Sequence, residues 1–70
     1  MGRLVPAREG DEGDDIAFAQ KVLGFAPANG VFDARFTARL KGFQAVNKLY
    51  PDGRLTDDTF DALGRLADLA

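Results

Sequence analysis

The sequence predicts an all-α fold in which three short helices form one compact domain with turn-rich connecting loops. Apolar residues recur at intervals of three and four in three separate segments, as they do on the buried face of a helix. Glycine, Asn-Gly and Asp-Gly mark the ends of these segments, and such residues favour turns. With 70 residues, the chain has room for one domain.

The composition excludes several classes of site. The chain contains no Cys and no His, which excludes disulfides, Cys-based zinc sites, thiol nucleophiles and His general bases. We expect no cofactor. A chain of this length buries only about 60% of its unfolded surface. Its stability must therefore come from helix packing or from contacts with a partner, and the hydrophobic fraction of 46% is sufficient for a folded core.

The charge is segregated along the chain, although the net charge is only −2. Residues 29–50 carry four basic side chains and one acidic one, whereas residues 1–15 and 51–70 each carry two basic and five acidic side chains. Two interpretations remain open: a solvated helix surface with internal charge balance, or a docking surface for an anionic partner. Because the acidic ends would repel phosphate, we expect no nucleic-acid partner.

Residues 1–12 are predicted to be a lead-in segment, and residues 13–70 a single domain. Leu4 and Val5 are expected to pack against the core. No apolar run reaches the length of a membrane-spanning helix, and the N-terminus lacks the apolar stretch of a signal peptide. We therefore expect no membrane partner, and synthesis in the cytoplasm followed by release through lysis or incorporation into a virion.

Helix 1 is predicted over about residues 15–23, with Asp14 or Asp15 as the N-cap. Its core positions lie on one face of the helix: Ile16, Ala19 and Leu23. Phe18 and Val22 widen this face. Gly24 is expected to end the helix as the residue after the C-cap.

Helix 2 is predicted over residues 34–47, with Asp33 as the N-cap. Its apolar stripe consists of residues that follow one another by three or four: Phe36, Leu40, Phe43 and Val46. Pro51 favours an extended conformation for Tyr50, so the chain leaves the helix before that point.

Helix 3 is predicted to start after Thr56, whose hydroxyl can cap it. Asp57 and Asp58 fall in the first helical turn, where the helix dipole favours negative charge. The apolar positions of this helix are Phe60, Leu63, Leu66, Ala67 and Ala70.

A short unit occurs twice, at an offset of 23 residues. Asn29-Gly30 and Asp52-Gly53 each form a turn, and an apolar residue follows two positions later: Phe32 in the first unit, Leu55 in the second. Each of these apolar anchors precedes a helix cap, Asp33 or Thr56. The repeat predicts that each anchor fixes the angle at which the following helix enters the core.

These motifs and their spacings resemble the peptidoglycan-binding-like domain family of small three-helix modules. The family pattern begins with Gly-Asp-Asp-Val and a Leu-Gln pair, continues with DGxFGxxT and VKxFQ, and ends with DGxVGxxTWxxL. The corresponding segments here are Gly13-Asp14-Asp15-Ile16, Ala19-Gln20, Asn29-Gly30-Val31-Phe32, Leu40-Lys41-Gly42-Phe43-Gln44, Asp52-Gly53-Arg54-Leu55, Thr59-Phe60 and Leu63. The resemblance covers residues 13–66 and implies a shallow groove near the turns and helix 2 that binds bacterial cell-wall peptidoglycan.

Five of the departures from this pattern matter for function. Asp33 and Thr56 replace the Gly after each anchor, Phe36 replaces a Thr, Arg39 a small residue and Phe60 a Trp. The helix caps and the apolar volume are kept, so the resemblance still implies the same fold. The changes alter the loops that lead into the helices, and the resemblance implies that the ligand binds near these loops.

Six side chains are candidates for ligand binding: Asn29, Arg35, Arg39, Gln44, Tyr50 and Asp52. Tyr50 could stack on a sugar ring or cover the edge of the core. Arg35 and Arg39 could pair with a carboxylate of a peptide stem or of a protein partner, or remain solvated. For Gln44, a hydrogen bond to the backbone of a turn is favoured over contact with a ligand.

The acidic clusters do not predict catalysis or metal binding. Asp57, Asp58 and Asp61 lie at the start of helix 3, and a second cluster precedes helix 1. Helix capping and the helix dipole account for both. A glycosidase would need two carboxylates held across a cleft, and the spacing of an EF-hand calcium loop is absent. We therefore expect a non-catalytic protein without a metal site.

Two functions from different classes follow. The first is a binding module for peptidoglycan, as the resemblance implies. The second is a structural or accessory protein of a phage particle, such as a capsid or tail decoration or adapter, that uses the same fold to dock on a protein. The family resemblance favours the first function, which is the prediction made here. The segregated charge, the missing export signal and the departures from the family pattern support the second function as the alternative.

Overall fold

The computed structural model of this protein describes residues 7–25 and 27–69 and consists of three helices. These are α1 (Asp14–Val22), α2 (Ala34–Val46) and α3 (Asp57–Leu69). Within the described residues, extended structure is limited to two isolated antiparallel bridges, Ala7 with Leu55 and Glu12 with Val31. The predicted all-α fold with turn-rich loops is confirmed. We refer to residues 29–31 as turn A and to residues 52–54 as turn B.

The core lies between the helices and the two anchor residues. Its buried members are Ala7, Ile16, Ala19, Leu23, Phe32, Phe36, Leu40, Leu55 and Leu63. The rings of Phe32 and Phe36 meet edge to face with centroids 4.6 Å apart, and Phe25 meets Phe36 in the same way at 5.6 Å. The predicted role of Phe32 and Leu55 as apolar anchors is confirmed, because both are buried directly before a helix.

The predicted caps of α2 and α3 are confirmed, whereas that of α1 is wrong. Asp33 Oδ1 accepts a hydrogen bond from the Phe36 N–H at 2.9 Å, and Thr56 Oγ1 accepts one from the Thr59 N–H at 3.3 Å. The N-cap of α1 is Gly13, which has no side chain to cap with. Its carbonyl accepts the first helical hydrogen bond, from the Ala17 N–H at 3.1 Å, so the helix starts at Asp14, and its own N–H donates to the Gly30 carbonyl of turn A at 3.0 Å.

The outer end of the apolar stripe in α2 is also different from the prediction. Phe36 and Leu40 are buried and Phe43 is half-buried, but Val46 is 82% exposed. The buried face instead continues to Gln44. Val46 lies about 120° around the helix from Leu40, so a core that turns towards Gln44 leaves it outside. In α3, Leu66 is likewise more exposed than its spacing predicts, and Ala70 lies outside the described residues.

The end of the lead-in segment is joined to both anchor residues, Phe32 and Leu55, by backbone hydrogen bonds. Ala7 exchanges two with Leu55, and the Gly10 N–H donates to the Phe32 carbonyl at 2.9 Å. The Phe32 N–H donates in turn to the Asp11 carbonyl at 2.9 Å. Residues 7–11 of the lead-in thus lie against both anchors. The boundary predicted at residue 13 stays a prediction, and Leu4 and Val5 lie outside the described residues.

Helices α1 and α2 end in the same hydrogen-bond pattern, a Schellman motif. At the end of α1, Phe25 N–H donates to the Gln20 carbonyl at 2.8 Å and Gly24 has a φ of +84°. At the end of α2, Leu49 N–H donates to the Gln44 carbonyl at 2.8 Å. The left-handed position there is occupied by Lys48, with a φ of +61°. The predicted helix end at Gly24 is confirmed.

We expect Lys48→Gly to stabilise the domain. A lysine in the left-handed region is strained, and glycine adopts this conformation without a steric penalty. The gain in the free energy of unfolding should be about 0.5–1 kcal/mol after the greater flexibility of unfolded glycine is subtracted. This corresponds to a rise in Tm of about 4 °C for a domain of this size, measured by circular dichroism.

The matched control is Gly24→Ala, at the equivalent position of α1. A Cβ on Gly24 would meet no atom within 4 Å, so its cost comes from the backbone conformation alone. This variant should lose about 1 kcal/mol. A Lys48→Gly domain with an unchanged or lower Tm would contradict the assignment of strain to Lys48.

Candidate functional site

Turn A is held by the side chain of Gln20, from the middle of α1. Gln20 Oε1 accepts a hydrogen bond from the Gly30 N–H at 2.7 Å, and its Nε2 donates to the Val31 carbonyl at 2.8 Å. The same Nε2 lies 3.3 Å from Asn29 Oδ1, which also accepts from the Val31 N–H at 3.0 Å. Gln20 is only 1% exposed. Turn A is therefore fixed to α1 by a buried amide.

Turn B is held in the same way by Gln44, from α2. Gln44 Oε1 accepts from the Gly53 N–H at 3.0 Å, and its Nε2 donates to the Arg54 carbonyl at 2.9 Å. Nε2 also reaches Asp52 Oδ1 at 3.1 Å and Thr59 Oγ1 at 2.9 Å. Asp52 Oδ1 accepts in addition from the Arg54 N–H at 2.9 Å. The predicted bond between Gln44 and the backbone of a turn is confirmed.

The repeat thus includes the glutamine of the preceding helix as well as the turn, the anchor and the cap. In both units the amide oxygen accepts from the Gly N–H, and the amide nitrogen donates to the next carbonyl. We did not assign this role to Gln20. The sequence contained a signal for it, because the number of residues between Gln20 and Gln44 is almost the same as the number between the two turns.

Both turn glycines are required by conformation and by space. Gly30 and Gly53 have φ values of +76° and +73°. A Cβ on Gly30 would lie 3.0 Å from the Gly13 carbonyl oxygen, and one on Gly53 would lie 3.0 Å from the Thr37 methyl group. A larger residue would be strained at either position. The turns therefore present their outer residues in fixed positions.

Arg35 and Arg39 line one surface pocket at the end of α1. The pocket has a volume of about 410 Å³, and its other residues are Leu23, Gly24 and Phe25. Arg39 Nη2 donates to the Leu23 carbonyl at 3.1 Å. The Arg35 guanidinium lies over the Phe25 ring, 5.9 Å from its centroid. We call this site the arginine pocket.

The six predicted site residues fall into three places rather than one groove. Asn29 is exposed in turn A, and Arg35 and Arg39 are exposed in the arginine pocket. Gln44 and Asp52 meet in turn B, where Gln44 is buried and Asp52 half-buried. Tyr50 is 82% exposed just before turn B. Whether any of them contacts a ligand stays a prediction.

An apolar groove runs between the ends of the three helices. Two adjoining pockets of about 450 Å³ each share Val22 and Leu66 in their walls. Other apolar residues lining the groove are Phe18, Phe43, Val46 and Leu69. Leu69 is 85% exposed, and the Phe18 ring stacks on that of Phe60 with centroids 5.7 Å apart.

The described part of the chain lacks two further features, a metal-binding cluster and a membrane-spanning helix. Residues 7–25 and 27–69 contain no group of three acidic side chains that could hold a metal ion. No helix among them has the length and apolar character needed to cross a membrane.

A family model described as "Putative peptidoglycan binding domain" matches residues 12–63. This region begins just before α1 and includes both turns, both glutamines and the first half of α3. No curated protein matches the chain, and no solved structure matches it.

Proposed function

This chain belongs to the peptidoglycan-binding domain family, and we propose that its function is to bind the peptidoglycan of the bacterial cell wall without catalysing a reaction on it. The observation that carries the proposal is the match over residues 12–63, which contains the complete pair of glutamine-held turns. The resemblance inferred from the motifs alone points to the same family.

Turns A and B support this proposal because they hold candidate ligand-binding residues in fixed positions. A ligand that binds residues already held in place loses less conformational entropy than one that must order a loop. Asn29 and Asp52 are fixed by hydrogen bonds within their own turns. Tyr50 is joined to turn B by a hydrogen bond of 2.9 Å, which the Asp52 N–H donates to the Tyr50 carbonyl. Its exposed ring is suited to stacking on a sugar face.

The non-catalytic part of the proposal rests on the chemistry of the side chains. Without Cys or His, a general base or nucleophile would have to be a carboxylate, a hydroxyl or an amine. The buried polar side chains Gln20, Gln44 and Thr59 are engaged in hydrogen bonds that hold the turns. Incubating the protein with peptidoglycan and measuring released reducing ends and free amino groups tests this part, and release above the blank would contradict it.

Co-sedimentation with insoluble peptidoglycan tests the binding itself. The purified protein should enter the pellet with peptidoglycan and stay in the supernatant with cellulose, an insoluble polysaccharide that has no peptides. Equal retention on both materials would indicate general adhesion to polysaccharide. Protein that stays wholly in the supernatant with peptidoglycan would contradict the proposal.

A second candidate function is docking on a protein partner, as in an accessory protein of a phage particle. The apolar groove favours it, since exposed apolar patches with polar edges commonly mark protein-binding surfaces. Replacing Leu69 with a charged residue should then abolish association with the partner while leaving peptidoglycan binding unchanged. Sedimentation velocity of the protein alone and mixed with phage particles measures this association, and a single slow monomeric species in both would contradict it.

A further inference from the structure

We infer that the arginine pocket binds a carboxylate, and that in peptidoglycan this is a carboxylate of the stem peptide rather than a group of the glycan strand. The inference rests on the proposed function for the identity of the ligand. Its structural basis is the placement of two guanidinium groups at the rim of one pocket of about 410 Å³.

The two arginines are held in place by different contacts. They are four residues apart on α2, so their side chains project from the same face of the helix. The bond from Arg39 Nη2 to the Leu23 carbonyl, 3.1 Å long, fixes one guanidinium against the end of α1. The ring of Phe25 supports the other guanidinium at 5.9 Å. Both are therefore positioned before a ligand arrives.

Neither guanidinium uses up its hydrogen-bonding capacity in these contacts. An arginine has several N–H donors in a planar fork, and Arg39 donates one of them to Leu23. The contact of the Arg35 guanidinium with the Phe25 ring is a cation–π contact and leaves the N–H donors of Arg35 available. Across residues 7–25 and 27–69, neither arginine forms an ion pair with a carboxylate. The donors that remain can bind a carboxylate in a bidentate way.

A purely structural role accounts for only one of the two residues. Cationic side chains stabilise the C-terminal end of a helix, and the contact with Leu23 places Arg39 in that role for α1. The partial negative charge of a helix end is about half an elementary charge. The two guanidinium groups together carry more positive charge than this helix end carries negative charge, so the pocket keeps a net positive charge. Arg35 contributes that charge, and helix capping does not explain it.

The chemistry of the ligand follows from this charge. The hydroxyl and acetamido groups of a glycan are neutral, whereas a stem peptide carries free carboxylates. A planar carboxylate matches the fork of an arginine, and pairing with a charged donor is stronger than a neutral hydrogen bond. Leu23 and Phe25 provide apolar surface beside it for the methyl group of an alanine residue.

The test uses nuclear magnetic resonance with acetyl-D-alanyl-D-alanine as the free acid and as its C-terminal amide. The free acid should shift the backbone N–H signals of residues 23–25 and the side-chain Nε–H signals of both arginines, and the amide should not. Equal shifts with acid and amide, or no shifts at these positions, would overturn the inference.

Variants assign the effect to the two guanidinium groups. Arg35→Gln keeps the Arg39–Leu23 bond and should weaken binding of the free acid about tenfold, the loss typical of one charge-assisted hydrogen bond. Arg35→Gln/Arg39→Gln should remove binding, and Arg35→Lys/Arg39→Lys should retain part of it. The matched control is Arg65→Gln, an exposed arginine of α3, which should bind as the wild type does. Unchanged binding by the double Gln variant would also overturn the inference.

A second arm separates this inference from the proposed function. Peptidoglycan free of teichoic acid is used with its carboxyl groups intact or converted to amides, which removes the anion and leaves the glycan unchanged. Retention of the wild type should fall at least about tenfold on the amidated material. Equal retention on both materials would overturn the inference and leave peptidoglycan binding standing. No retention on either, with a positive dipeptide titration, would contradict the proposed function instead.

Discussion

Replacing Gln44 with methionine is expected to lower the free energy of unfolding by about 3 kcal/mol, the cost of leaving buried polar groups without partners. Methionine has a similar length and volume, so the change removes hydrogen bonds without opening a large cavity. The Gly53 N–H and the Arg54 carbonyl lose the partners that fix turn B. A 70-residue domain has a total stability of about 4–10 kcal/mol, so much of it would be lost.

Urea unfolding followed by circular dichroism measures this effect. The control is Arg65→Met, which places the same side chain on the exposed surface of α3 and should change stability by less than about 0.5 kcal/mol. Gln20→Met should behave as Gln44→Met does, because it breaks the equivalent bonds of turn A. A Gln44→Met domain as stable as the control would show that the buried amides do not hold the turns.

Replacing Phe32 with alanine is expected to cost about 3–5 kcal/mol, the usual loss for a buried aromatic residue. Phe32 is only 1% exposed and meets the Phe36 ring edge to face. Its backbone pairs with Gly10 and Asp11, so Phe32 joins the lead-in, through its backbone, to the core, through its side chain. At 25 °C we expect a domain that is largely unfolded or close to unfolding, as measured by thermal melting.

The neighbouring residue provides the control for this change. Val31 is 39% exposed, so Val31→Ala removes an apolar side chain at the adjacent position without opening a buried cavity. It should cost less than about 1 kcal/mol. If Val31→Ala and Phe32→Ala lost similar amounts, the cost would lie in the loop as a whole and not in the buried ring.

Local patterns were sufficient to predict most of the fold. The caps Asp33 and Thr56, the turns with Gly30 and Gly53, and the helix end at Gly24 all depend on a few neighbouring residues. Such features can be predicted because their conformation depends on the identity of adjacent residues. The anchors were found because the repeat pairs them at a fixed distance from each turn.

The features that sequence analysis missed depend on contacts between distant residues. Gly13 is the N-cap of α1 and donates its N–H to the Gly30 carbonyl of turn A, a bond between distant residues that no local pattern indicates. Val46 is exposed because the buried face of α2 turns towards Gln44. The placement of Arg39 against the Leu23 carbonyl depends on how α2 crosses the end of α1. These are consequences of tertiary packing, which periodicity alone does not contain.

The candidate site was predicted residue by residue, but its arrangement was not. Arg35 and Arg39 share a pocket because they are four residues apart on one helix, which the sequence already contains. The pocket also needs Phe25, which reaches it through the Schellman motif at the end of α1. The separation of this pocket from turn B follows from the three-dimensional fold.

Binding of the wild-type domain to purified peptidoglycan sacculi tests the account most directly. We expect the bound fraction in the pellet to rise with sacculus concentration to saturation, and a muramidase that dissolves the sacculi to return the protein to the supernatant. A domain that circular dichroism shows to be helical, yet that stays in the supernatant at every sacculus concentration, would contradict the proposal that this fold binds the cell wall.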